Sequence, residues 1–68
     1  MKPVSGKRMC KLLESRGWVH DHTKGSHFYY KRGDPAVFTT VPVHANRDLR
    51  TGTQRRIMRD AGLADADL

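Results

Sequence analysis

Met9, Leu12 and Leu13 recur at the spacing that lines one face of a helix, behind Ser5 as a cap and ahead of Gly17 as a stop. This predicts a first helix from about Gly6 to Arg16, on which Cys10 is a small packing residue. The pattern then changes. Trp18 to Thr23 is expected to be a strand, Lys24 and Gly25 a tight turn, and Ser26 to Lys31 a second strand. The aromatics Phe28, Tyr29 and Tyr30 suit a pleated, half-buried surface, and strict alternation puts Phe28 and Tyr30 inward. Arg32, Gly33, Asp34 and Pro35 form the next turn, and Val37 to Val41 a third strand. Pro42 has no amide to give to a ladder, so it ends that strand or sits at a sheet edge.

Val43 to Arg50 is polar and is expected to be an ordered loop. Thr51 through Gln54 fit a capping box that opens a second helix, with Ile57, Met58 and Ala61 on its inner face. Gly62 stops that helix and Leu63 folds back on it, while Ala64 to Leu68 are expected to fray. The resulting class is α+β, ordered α-β-β-β-α, with a three-stranded antiparallel sheet and both helices on one face. The other sheet face is then left open. Residues 1–68 are expected to form a single domain, because a chain of this length buries only about 60% of its unfolded surface and has no room for a second core.

Charge adds a partner class. The net formal charge is +6, and from Met1 to Arg59 all 13 Lys and Arg face only Glu14, Asp21, Asp34 and Asp48, a local charge of +9. Such a field suits a phosphate backbone, whose affinity comes largely from released counterions. No long basic amphipathic helix points to a membrane surface. One cysteine permits no internal disulfide, and no apolar run approaches about 18 residues. The expected setting is the cytoplasm.

Candidate chemistry centres on His27. It stands at a strand entrance after Gly25 and Ser26, with Lys24 before and aromatics after. A turn glycine lets a phosphate approach closely, the lysine supplies a cation, and histidine ordinarily titrates near pH 6.5, so it can accept or donate a proton at neutral pH. Tyr29 shares the strand side of His27 and can stack on an unpaired base or pack inward. Lys7, Arg8, Lys11, Lys31, Arg32, Arg55 and Arg56 are further candidate phosphate contacts. His20 and His22 are expected to share a strand face, but no cysteine pair or carboxylate cluster completes a zinc set, so no metal or other cofactor is expected. His44 fits a loop-fixing role and a catalytic role equally well.

Taken in order, Ser5-Gly6-Lys7, Leu12-Leu13, Gly17-Trp18, Lys24-Gly25-Ser26-His27, Tyr30, Val41-Pro42-Val43-His44, Gly52-Thr53 and Ala61-Gly62-Leu63 resemble the HicA family of bacterial toxins. The resemblance spans nearly the whole chain. It implies a fold similar to a double-stranded RNA-binding domain and metal-independent cleavage of messenger RNA. It also implies that His27 is the catalytic residue, with Lys7, Lys24, Gly25, Ser26, Tyr29, Lys31 and Arg32 as the candidate RNA contacts. A HicB-type antitoxin that masks the active site is the implied partner, and DNA is reached only through that antitoxin. Family members often carry an aliphatic or polar residue where Phe28 and Tyr29 stand, and often run longer at the C-terminus. A non-catalytic RNA-binding module of the same fold fits the composition equally well and differs only in the role of His27. A DNA-binding or protein-interaction domain fits less well, because no helix-turn-helix spacing is visible.

Overall fold

Ser5 keeps an extended backbone while its hydroxyl accepts from the Arg8 amide at 3.1 Å, so helix α1 (Gly6–Ser15) begins with one of its free donors satisfied. It ends in paired bonds, Trp18 N to Leu13 O at 3.0 Å and Gly17 N to Glu14 O at 3.3 Å, the two-bond closure that turns a chain off a helix. A computed structural model describes residues 1–68. After α1 come strands β1 (Val19–Lys24), β2 (His27–Arg32) and β3 (Val37–Pro42), then helix α2 (Thr51–Ala61) and a short 3-10 turn at Asp65–Asp67. The strands pair antiparallel in the order β1-β2-β3. The order α-β-β-β-α is therefore the one expected. Trp18 differs: its amide closes α1, so β1 starts one residue later and the indole is buried at the helix end.

The inner sheet face carries Tyr30, Thr39 and Val41, all buried, with Phe28 half-buried beside them. Met9, Cys10 and Leu13 of α1 and Ile57, Met58 and Ala61 of α2 join the same cluster, which places both helices on this one face. Polar contacts fix the layers. Tyr30 donates its hydroxyl to Glu14 Oε2 at 2.7 Å, and Arg56 ties α2 to the edge of β3 through the Thr40 carbonyl at 2.8 Å. Burial and the Glu14 carboxylate push the Tyr30 hydroxyl well above its ordinary pKa, so it stays a donor.

Two expectations are corrected at the ends of the chain. The capping box at Thr51 does not form: Arg50 is the residue before the helix and makes no side-chain cap bond. Gln54 is instead buried, accepting from Val4 N at 3.2 Å and donating to Lys2 O at 2.7 Å. A buried amide must find partners somewhere, and the N-terminal segment brings them. Ala64 to Leu68 do not fray. Asp67 pairs with Arg16 at 2.8 Å and accepts from the Ala64 amide at 2.7 Å, and Leu68 packs on the core. The Ala64 amide, helped by Arg16, holds the Asp67 carboxyl below its ordinary range.

Gly6 sets how closely α1 approaches the end of β3. A methyl group there would strike the Pro42 carbonyl oxygen, a backbone atom that cannot rotate away. Gly6→Ala is therefore expected to destabilise the fold by about 1–3 kcal/mol through overpacking. Urea unfolding measures this, and an unchanged midpoint would show that the contact relaxes freely.

Candidate active site

Lys24 and His27 face each other across a two-residue hairpin, Gly25-Ser26, that joins β1 to β2. Gly25 has φ 60° and is the only one of the two residues with positive φ, as in a turn whose first position calls for glycine. The hairpin therefore fixes the register. It leaves the Lys24 and His27 side chains as cross-strand neighbours, with Cβ atoms about 4.5–5.5 Å apart. On its other flank His27 is paired with Pro42 of β3, and Val43 N continues that ladder by one bond to Ser26 O at 2.8 Å. His27 is exposed. Its ring takes part in none of the side-chain hydrogen bonds, so both nitrogens are open to a ligand.

With period two, Tyr29 and Lys31 follow His27 on the open face. There they meet residues of β1 through an irregularity. The register of β1 shifts between His20 and His22, placing an extra residue, Asp21, in the strand. His22 thereby stacks flat on Tyr29, with ring centroids 4.3 Å apart and planes at 6°, while His20 turns the other way, its ring 5.6 Å from both Phe28 and Tyr30. The expected shared face of His20 and His22 is thus corrected: the bulge breaks the alternation. Asp21 bonds His22 Nδ1 at 2.6 Å and Lys31 Nζ at 3.0 Å, and these two partners, His22 foremost, hold its carboxyl below the ordinary range.

The expected RNA contacts fall into two groups. Lys24, Gly25, Ser26, His27, Tyr29 and Lys31 come together on the hairpin and the open face. Within that group Lys31 is already paired with Asp21, and one face of the Tyr29 ring is covered by His22. Lys24 has no acidic partner. Arg32 and Lys7 stand apart. Arg32 lies over the Trp18 ring at 4.6 Å and donates to the Arg16 carbonyl, so it works as a cover for the core. Lys7 sits on α1 beside a hollow shared with Lys11, Glu14, Phe28 and Tyr30. Arg56 is likewise occupied, by Asp60 and the Thr40 carbonyl.

A basic hollow of about 390 Å³ escaped the sequence reading. It lies where the His44–Arg50 loop meets the start of α2, and Pro42, His44, Arg47, Asp48, Arg50 and Thr53 line it. The signal was Arg47 and Arg50 flanking Asp48 in a polar loop, but only the closed loop makes them converge. No helix is long and apolar enough to cross a membrane.

No curated protein matches the chain. The family model for the HicA toxin of bacterial toxin–antitoxin systems matches residues 6–63, from the first residue of α1 through the stop of α2, and the chain belongs to that family.

Proposed function

We propose that this toxin is a metal-independent endoribonuclease that cleaves messenger RNA, with His27 as its proton-transfer group. The observation that carries the reading is an exposed imidazole on an uncovered sheet face, with a free lysine directly across the hairpin. With RNA laid along that face, His27 takes the proton of a 2′-hydroxyl while its oxygen attacks the neighbouring phosphorus. Lys24 stabilises the charge that builds on the phosphoryl oxygens. The products are a 2′,3′-cyclic phosphate and a 5′-hydroxyl. Tyr29 offers its uncovered ring face to a base, and Gly25 and Ser26 leave the backbone open to a phosphate.

The same face supports a HicB-type antitoxin as the partner that masks the site. Val19 and Phe38 flank Lys31 across the sheet and are 57% and 53% exposed, so the face that carries His27 also carries apolar side chains four residues further along β2. A partner that spans this face from those side chains to the hairpin covers His27 as well.

Cleavage of a structured messenger RNA in EDTA tests the proposal, with the product ends identified by their reaction to phosphatase and kinase. Cyclic-phosphate ends formed without metal are expected. RNA that is bound but left intact would make the protein a non-catalytic binder, and tighter binding of duplex DNA across salt concentrations would point away from RNA altogether.

A further inference from the structure

The geometry points to His44 as a second catalytic residue, the general acid that protonates the leaving 5′-oxygen, with Arg47 and Arg50 seating the phosphate on that side of the cut. The inference rests on the ribonuclease reading above. Pro42 is the cross-strand partner of His27, and His44 follows two residues later, beyond the Val43–Ser26 bond that extends the ladder. His44 thus stands two residues past the partner of His27, and the hollow lined by both Pro42 and His44 reaches the end of β3 at that pair.

The bland role for His44 is to fix its loop through a side-chain hydrogen bond. Its imidazole makes none. The loop is closed by main chain alone, through Arg47 N to His44 O at 3.0 Å and Leu49 N to Val4 O at 2.8 Å. Arg47 and Arg50 are equally unengaged: the four ion pairs of the protein use Arg16, His22, Lys31 and Arg56. Two arginines and a histidine without partners around a hollow of about 390 Å³ fit a nucleotide phosphate, with Thr53 adding a hydroxyl and Asp48 as the one acid on its wall.

The step balances. The 2′-hydroxyl gives its proton to neutral His27, the O2′–P bond forms, and the P–O5′ bond breaks. O5′ takes a proton from protonated His44. One proton has moved from His44 to His27, and exchange with water resets the pair.

A leaving group that needs no proton tests this directly. The wild-type cut is first mapped on a short RNA, and the same RNA is then made with sulfur in place of the bridging 5′-oxygen at that bond, so that a thiolate departs. His44→Ala and His44→Gln are expected to slow cleavage of the ordinary RNA by about 10²-fold or more, yet cleave the sulfur-bridged RNA within about 10-fold of wild type. His27→Ala is expected to be slow on both, because its proton comes from the nucleophile. Equal losses of the His44 variants on both substrates, or no loss on ordinary RNA, overturn the role of His44 while leaving the ribonuclease reading standing. A wild-type protein that cuts neither RNA, or an active His27→Ala protein, overturns both.

Discussion

The His27→Ala protein is expected to melt with the wild type and to cleave RNA roughly 10²–10⁴-fold more slowly, the range that one positioned proton-transfer group contributes. The two halves of this expectation have separate causes. His27 is exposed, packs against no core residue and makes no side-chain hydrogen bond, so its removal leaves no cavity and no orphaned partner. Surface changes of this kind fall within about ±0.5 kcal/mol. Its backbone role is preserved as well, because the Lys24 and Pro42 pairings run through main chain. The catalytic half depends on the imidazole alone. Lys24 and the basic loop would still hold RNA, so affinity should change little while turnover collapses. Single-turnover cleavage, an RNA-binding titration and a thermal melt on the same preparation separate these quantities. A variant that keeps its rate would remove His27 from the chemistry, and one that loses rate only by unfolding would make it structural.

The fold was legible wherever punctuation and period agreed. Gly17 and Gly62 both close helices by the same pair of main-chain bonds, and Gly25 sets the hairpin that presents His27. The apolar part of the inner face of α2 followed from the spacing of Ile57, Met58 and Ala61. The failures share a different cause, which is contact between residues distant in sequence. Gln54 looks like a local cap because it stands three residues after Thr51, but its partners lie at Lys2 and Val4. The C-terminal residues look solvated until Arg16 reaches Asp67 across the molecule. At the candidate site, the placement of His27 opposite Lys24 was legible because a hairpin is local. The bulge at Asp21 was not, since no glycine marks it, and it decides that His22 and not His20 joins the open face. Arg32 carries the expected charge but lies over the Trp18 ring, away from the His27 side of β2, a placement that the strand pattern alone does not show.

Leu13→Ala is expected to cost about 2–5 kcal/mol, the range for deleting a leucine side chain from a packed interior. Leu13 is fully buried, at 0% exposure, and belongs to a core cluster of 11 residues shared by both helices and the sheet. At roughly 0.05–0.15 kcal/mol per residue, a 68-residue chain has only about 3–10 kcal/mol to lose. The substitution should therefore leave a substantial unfolded fraction at 37 °C and abolish toxicity with His27 untouched. The position also ends α1, because the Leu13 carbonyl receives the Trp18 amide, but that main-chain bond survives in the alanine protein. The loss is thus one of packing. Anything that binds only the native state opposes it: an antitoxin at 100 times its Kd adds about 2.7 kcal/mol. Leu13→Ala protein co-expressed with its antitoxin should accordingly be recovered folded when the same protein alone is not. Denaturant unfolding with and without the antitoxin decides the matter, and a shift below about 1 kcal/mol for the free protein would mean that the neighbouring side chains collapse into the space and the core is less tightly filled than its burial implies.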